Sequence, residues 1–252
     1  AEAGNPDAMY WLGRSLEFQD FQKGLTAGEW FYKSAELGNP WAMTSLRDKT
    51  NCEFFGWPCK RTNWSEKRLE IWRDMAAKGD GLAEYALATY DLGWKGYIPF
   101  VRKNEKIRRL TKALEMGEGT AAIKLNGLLL GNHGYDTAPK NIREECAKIL
   151  SIAAENGYAR AMTAVASYSD IIGYEATKNW LYKSLELGYP VAAFSLANIY
   201  DEGGNGLEKD SEQAYYYAVI STRVGDLYGS SLSFALESGG IGGDLTKEKK
   251  RN

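Results

Sequence analysis

The sequence predicts an all-α protein in which about six helix pairs stack into a right-handed α-solenoid. Two observations carry this prediction. The first is the sequence of residues 30–42, which recurs with few changes at residues 180–192. The second is a series of glycines that end apolar helical segments and recur every 31 to 41 residues. Self-similarity at such a spacing is typical of helical repeat proteins.

Each repeat is expected to begin just after one of these glycines, which can adopt a left-handed backbone conformation without a Cβ clash. In most repeats a small residue follows four positions later and a large apolar residue eight positions later, as with Ala42 and Leu46 after Gly38. Positions four apart share one helix face, so this pattern favours close helix packing. The helix-ending glycines are Gly4, Gly38, Gly79, Gly117, Gly157, Gly188 and Gly225.

Every repeat then contains helix A, a loop and helix B. Helix B carries large residues seven or eight positions before its glycine, such as Trp30, Trp72 and Trp180. Burying each such side chain is worth roughly 1.5–3 kcal/mol, and stacking of neighbouring pairs supplies the burial. The expected pairs, in a single array over residues 1–252, are 6–36, 40–78, 80–116, 118–156, 158–187 and 189–224, with a degenerate C-terminal cap at 227–252.

This pattern resembles the Sel-one-like repeat, a relative of the tetratricopeptide repeat. Residues 8–13 and 30–39 match its two helix motifs closely, and residues 192–225 match a full repeat with its glycine-containing loop. The resemblance covers nearly the whole chain. It implies an α-solenoid that recognises another protein.

The composition restricts the classes of partner that the chain is expected to bind. Lys and Arg, 31 in all, nearly balance 33 Asp and Glu, which argues against a nucleic-acid binder held by a basic face. No apolar run is long enough to cross a bilayer, so we expect no transmembrane segment. Eight Trp and sixteen Tyr are unusually many, and aromatic side chains serve both helix packing and protein interfaces.

An insertion at residues 48–63 carries two of the three cysteines, Cys52 and Cys59. A disulfide between them would indicate an oxidising compartment, which for a bacterial protein is the periplasm. Two free thiols in a cytosolic loop are the alternative, and a metal site is disfavoured because no second Cys pair or His lies nearby. The chain opens inside a repeat rather than with a start Met, so it is either a processed or a trimmed product, in which a signal peptide would no longer be visible. We expect an exported protein in the periplasm.

Three aromatic residues lie between the two cysteines: Phe54, Phe55 and Trp57. They have two interpretations. They pack back onto a helix pair as local core, or they form a crosslinked knob that enters a pocket of the partner. A second long loop carries Trp94 and Tyr97. Repeat loops project along one edge of a solenoid and insertions there often serve binding, so these residues are candidate contacts.

The concave side of the solenoid is a further candidate surface. Residues five, six, nine and ten positions after each helix-ending glycine are expected to face it or its rim. The set mixes Tyr, Arg, Met and acidic residues, which suits a protein partner better than a small-molecule substrate. The predicted contacts on this side are Tyr10, Arg14, Arg47, Glu84, Tyr85, Phe194 and Asn198.

No group of residues suggests catalysis or a cofactor. The only histidine, His133, has no Ser or Cys motif beside it. Residues 201–212 partly match a calcium-binding loop, but Gly203 stands at a ligand position and the repeat explains this loop without a metal. We therefore expect a non-enzymatic protein that needs no cofactor.

Exported proteins that resemble this repeat include periplasmic immunity proteins, which neutralise toxic effectors of type VI secretion, phospholipases among them. The resemblance therefore implies an inhibitor that binds and blocks one secreted effector. A single-copy aromatic insertion fits such a single target. The alternative is a cell-envelope scaffold or regulatory adaptor that binds several partners through its concave face.

Overall fold

The structure is a computed structural model that describes residues 4–223, apart from residues 18, 20, 48, 58, 60–62 and 205, together with residues 241 and 245. Within this part of the chain, fourteen α-helices and two 3₁₀-helices follow one another. The chain divides into two compact units, Ala1–Met116 and Gly117–Asn252. Both units consist of helix–turn–helix pairs, as the sequence predicts.

Unit 1, Ala1–Met116, holds three helix pairs, in which each longer helix packs against the next one along the chain. Its helices are α1 (Pro6–Glu17), α2 (Phe21–Glu36), α3 (Pro40–Ser45), α4 (Lys49–Phe54), α5 (Trp64–Ala77), α6 (Gly81–Tyr90) and α7 (Pro99–Glu115). The short α4 belongs to the predicted insertion, and a 3₁₀-helix, Gly93–Tyr97, precedes α7.

Unit 2, Gly117–Asn252, holds the remaining three pairs. Its helices are α8 (Gly119–Leu130), α9 (Lys140–Glu155), α10 (Ala159–Val165), α11 (Ser169–Ile172), α12 (Tyr174–Glu186), α13 (Pro190–Glu202) and α14 (Ser211–Arg223). The middle pair differs from its neighbours, because a 3₁₀-helix, Ala166–Tyr168, separates α10 from the short α11 where one helix was expected.

Glycine and the residue after it define the turns between pairs. Gly38 has φ +95° and Gly79 has φ +93°, values that side chains with a Cβ rarely adopt. The next residue in each case caps the following helix: the Asn39 side chain accepts from the Ala42 amide at 2.8 Å, and Asp80 accepts from the Ala83 amide at 2.9 Å. One short segment therefore ends helix B and starts the next helix A.

The alternation of small and large residues on helix A builds the core. Ala42 and Leu46 are buried after Gly38, and Ala83 and Leu87 are buried on α6. Helix B contributes the large side chains, of which Trp72 is fully buried. The α-solenoid repeat predicted from the sequence is confirmed by this packing.

None of the described helices combines the length and the apolar composition that crossing a bilayer requires. The predicted C-terminal cap at 227–252 and the last helix-ending glycine, Gly225, lie outside the described residues, apart from two positions, one of which, Ile241, is buried against the core of unit 2.

Candidate protein-interaction surface

The insertion is closed by a disulfide. Cys52, on α4, is bonded to Cys59, and their Cα atoms are 5.9 Å apart across a sequence separation of seven residues. Cys59 also packs against the core of the first two helix pairs. Of the two alternatives for these cysteines, the structure contains the crosslink, and the aromatic residues lie inside the loop that it closes.

Trp57 fills the core beneath this loop. Its ring is 5% exposed, and its Nε1 donates a hydrogen bond to the Gly24 carbonyl at 2.9 Å. A Cβ built on Gly28 of α2 would lie 2.3 Å from the Trp57 ring, so this glycine makes the space that the indole occupies. Trp57 is therefore a core residue, which corrects the expectation that its ring meets a partner.

Phe55 and Phe54 have different surroundings. Phe55 stacks on Trp57, with ring centres 5.5 Å apart, and a Cβ built on Gly24 would lie 2.4 Å from its ring. Phe55 thus shares the local core with Trp57. Phe54 meets Phe55 edge to face at 4.8 Å but remains 64% exposed. Of the three aromatic residues, Phe54 keeps a surface that a partner can reach.

The disulfide is expected to stabilise the fold measurably. Replacing both Cys52 and Cys59 by Ser should lower the free energy of unfolding by about 2 kcal/mol, because the crosslink restricts a short loop in the unfolded chain. Urea unfolding of the variant and of the wild-type protein measures the difference, and reduction of the wild type should reproduce it. Equal urea midpoints for the two proteins would contradict a stabilising crosslink.

The segment between α6 and the first turn of α7 exposes four large apolar side chains. Trp94 is 67% exposed and Tyr97 is 89% exposed, and Ile98 and Phe100 follow with largely exposed side chains. Apolar residues that cluster on a surface mark interaction sites, whereas single ones are ordinary. Trp94 and Tyr97 remain predicted contacts, and Ile98 and Phe100 join them.

Three cations around the buried carboxylate of Glu105 link this loop to α7. Lys95 lies between Trp94 and Gly96 in the loop, and its Nζ is 3.0 Å from Glu105 Oε2. Arg108 and Arg109 bind the other carboxylate oxygen at 2.7 and 3.1 Å. The Arg108 hydrogen bond, followed by those of Lys95 and Arg109, holds the pKa of Glu105 far below its usual range, although burial opposes this. The backbone that carries these exposed aromatic side chains is therefore held against α7 by the Lys95–Glu105 ion pair.

Glu105→Gln is expected to lower the free energy of unfolding by about 1–3 kcal/mol, because three cations lose their shared counter-charge. The pKa of Glu105 is depressed in the folded protein, so its contribution is complete above the ordinary carboxyl pKa of 4.5 and is lost as the pH falls through the folded-state value. The difference between wild type and variant should therefore shrink in acid.

Urea unfolding from about pH 7 to about pH 3 measures this difference. Glu115→Gln is the matched control, because Glu115 lies on the same helix with an exposed side chain. A difference for the Glu105 variant that stays constant over the whole pH range would contradict the ion cluster.

We define the loop-edge surface as five exposed residues of unit 1: Phe54, Trp94, Tyr97, Ile98 and Phe100. All five lie in, or next to, segments that connect a helix A to its helix B. In repeat proteins such segments emerge along one edge. The disulfide and the Lys95–Glu105 ion pair anchor the two segments.

The predicted concave contacts of unit 1 have mixed exposure. Arg47 is exposed, and Tyr10, Arg14 and Tyr85 are half-buried. Glu84, in contrast, is buried and accepts a hydrogen bond from Lys112 at 3.1 Å. Glu84 therefore balances a charge inside the unit, which corrects its expected role as a surface contact.

Two predicted contacts belong to unit 2. Phe194 and Asn198 lie on α13 and are half-buried, and Phe194 packs against the core that contains Leu181 and Leu196. Their role in binding stays a prediction. On the same unit, Asp210 caps α14 by accepting from the Glu212 and Gln213 amides at 2.9 and 3.1 Å.

The sequence reasoning missed Trp11 on α1, which is 67% exposed. Its ring meets that of Tyr10 edge to face at 5.2 Å. A signal for it existed, since Trp11 lies off the face that carries the small and large core residues of helix A. Within the part of the chain that the structure describes, no group of three or more His, Cys, Asp or Glu side chains is placed to hold a metal ion.

Comparison with solved structures yields relatives of low sequence identity, whereas no protein-family model matches the chain. The protective antigen c5321 of uropathogenic Escherichia coli, which displays an SLR fold, superposes with a TM-score of 0.55 at 19% identity. The match covers 99% of this chain and 51% of c5321, so the chain spans about half the length of that relative.

Two other structures match over most of both chains. A Sel1 repeat protein from Oxalobacter formigenes gives a TM-score of 0.52 at 19% identity, over 88% of this chain and 89% of that one. The immunity protein Pa5087 from Pseudomonas aeruginosa gives 0.55 at 20% identity, over 87% and 81% of the two chains. Identities of this size establish the fold alone: the chain has the SLR fold of Sel1 repeat proteins.

Proposed function

We propose that the chain is a non-enzymatic inhibitor of the immunity type, which binds one secreted toxic effector and blocks it. The observation that carries the proposal is the loop-edge surface, where large aromatic side chains are exposed on an anchored backbone. The immunity protein Pa5087 has the same fold. Inhibition of an effector is therefore the first function to test for this chain.

The energetics of association favour this surface. A few buried aromatic anchors carry most of the free energy of a typical protein interface. Binding also costs the entropy of ordering the contact residues, and a loop that is already ordered avoids part of this cost. The Lys95–Glu105 pair and the Cys52–Cys59 crosslink order the two segments before any partner arrives.

The disulfide supports the proposal that the protein acts in an oxidising compartment. Crosslinks of this kind persist in oxidising environments such as the bacterial periplasm and are rare in the cytosol. We therefore place the inhibitor in the periplasm, where an effector delivered by type VI secretion would act. A phospholipase is one class of enzyme that fits the proposal.

The proposal is tested by capture. The immobilised chain is exposed to proteins secreted by the organism that encodes it, and the retained proteins are identified and then re-purified with the chain by size exclusion. We expect one enzyme that co-elutes at an equimolar ratio. Several weakly retained envelope proteins would contradict the inhibitor and favour an adaptor.

A further inference from the structure

Arg68 of α5 is a buried cation that has no acidic partner among the residues that the structure describes. Its residue is 3% exposed, and its Nη1 donates one hydrogen bond to Thr44 Oγ1 at 2.9 Å. Its Nε has no hydrogen-bond partner within the described part of the protein. Burial of an unpaired charge is costly, so such a charge in a folded protein calls for an explanation.

The other buried charges of the described residues are all paired. Glu17 accepts from Arg14 at 2.6 Å, Glu84 accepts from Lys112 at 3.1 Å, and Glu105 binds three cations. This makes Arg68 the exception. Among the described residues of unit 1, each buried carboxylate is paired with a cation, whereas the buried guanidinium of Arg68 is not paired with a carboxylate.

Two aromatic rings support the guanidinium without neutralising it. The Arg68 Cζ lies 4.6 Å from the centre of the Tyr90 ring and 5.3 Å from that of Trp72. The two rings are stacked 5.5 Å apart. Cation–π contacts of this kind position a guanidinium and offset part of its desolvation, but they add no negative charge.

A second cation adds to the imbalance. Burial is the main cause that lowers the pKa of Arg68 to about 10, and the positive charge of Arg47 lowers it further. Arg47 lies two residues after the end of α3 and is exposed. An anion beside Arg68 would relieve both the burial cost and the repulsion between the two arginines.

The site lies at the helix ends from which the connecting segments leave. Tyr90 is the last residue of α6 and is part-exposed, and Arg47 follows the last turn of α3. Arg68 lies in the second turn of α5, just after the insertion. These positions all lie where a helix A ends or a helix B begins, next to the connecting segments that carry Phe54 and Trp94.

We infer that Arg68 and Arg47 form a receptor site for an Asp or Glu side chain of the partner protein, with Thr44 and Tyr90 at its rim. This inference rests on the proposed function, because its occupant belongs to the bound protein. The exposed guanidinium of Arg47 offers a carboxylate a planar fork and two hydrogen bonds. Arg68, whose Nη1 is held by Thr44, adds its unbalanced positive charge close to that contact. The connecting segment that follows Tyr90 carries the exposed Trp94 and Tyr97. This favours a peptide segment over a free anion, because a peptide can combine an acidic contact with apolar ones.

The test uses a displayed library of random dodecapeptides, selected on the full chain. We expect the retained peptides to be enriched in Asp or Glu next to apolar residues. The best peptide is then synthesised with its acid and with the corresponding amide. The acid form should bind at least about 20-fold more tightly than the amide, and Arg68→Met should remove that preference.

Matched variants separate binding from folding. Arg68→Met should melt at the same temperature as the wild type or higher, since it removes an unpaired buried charge. Arg47→Ala, on the exposed side, should weaken the acidic peptide severalfold. Arg73→Met is the control: Arg73 lies on the same helix and already pairs with Asp91 at 2.8 Å, so its loss should leave the peptide affinity unchanged.

A set of retained peptides without acidic enrichment would overturn the inference. Equal affinity of the acid and amide peptides for the wild-type chain would also overturn it. Peptides that bind through Trp94 and Tyr97, and equally well to Arg68→Met, would refute the acidic site while leaving the proposed protein binding intact. Inorganic phosphate that displaces the acidic peptide at micromolar concentration would identify a free-anion site instead.

Discussion

Trp57→Ala is expected to lower the free energy of unfolding by about 3–5 kcal/mol. The indole is almost fully buried, meets the Phe31 ring edge to face at 5.2 Å and stacks on Phe55. Its loss leaves a cavity that the glycines of α2 enlarge, and it leaves the Gly24 carbonyl without its donor. Urea or thermal unfolding, followed by far-ultraviolet circular dichroism, measures the loss.

Phe54→Ala is the matched control for this prediction, because Phe54 lies in the same crosslinked loop and is largely exposed. Its effect on the free energy of unfolding should stay within about 0.5 kcal/mol. A Trp57 variant as stable as the wild type would show that the insertion does not pack as described. A loss of partner binding by Trp57→Ala would reflect unfolding rather than a missing contact.

The double variant Trp94→Ala/Tyr97→Ala is expected to bind the partner at least about 100-fold more weakly. Both side chains are largely exposed in the free chain, and neither belongs to a core cluster of the described residues. The free energy of unfolding should therefore change little. Surface plasmon resonance with the captured partner gives the affinity, and urea unfolding gives the stability.

Trp11→Ala provides the control for that experiment. Trp11 and Trp94 have equal exposure, 67%, but Trp11 lies on α1 rather than in a connecting segment. We expect Trp11→Ala to retain the wild-type affinity. If the double variant keeps full affinity while Trp11→Ala loses it, the interface lies on the helix A side, and the loop-edge surface is not the site.

The helix pairs could be predicted from the sequence because their signals are local. Gly38 ends one helix, Asn39 caps the next, and Ala42 and Leu46 define its buried face, all within nine residues. Each of these roles follows from the backbone preference or the size of one residue type. The same logic recurs at Gly79 and Asp80.

The candidate site could be predicted only in part, because exposure depends on contacts that are distant in sequence. Phe54 and Trp57 are close in sequence and similar in type, yet one is exposed and the other is buried. Trp57 is buried because Gly28, in the preceding helix pair, leaves space for its ring, as Gly24 does for the neighbouring Phe55. The hydrogen bond from Lys112 to Glu84, 28 residues away in the sequence, could not be predicted from the sequence either.

Arg68 shows a further limit. In the sequence it is one charged residue among many on an amphipathic helix B. Its significance lies in the absence of a counter-charge among its described neighbours, which only their three-dimensional arrangement reveals. Trp72 lies four residues after Arg68 on the same helix face, so this contact follows from the spacing. Tyr90 comes from the next helix, and its contact with Arg68 could not be predicted from the sequence.

We propose that the chain blocks a secreted enzyme through the loop-edge surface. The most direct test of this proposal is a titration of the captured enzyme's activity with the wild-type chain and with Trp94→Ala/Tyr97→Ala. We expect the activity to fall linearly to near zero at an equimolar ratio with the wild type and to persist with the variant. An enzyme that stays fully active when saturated with the wild-type chain would contradict the inhibitor account.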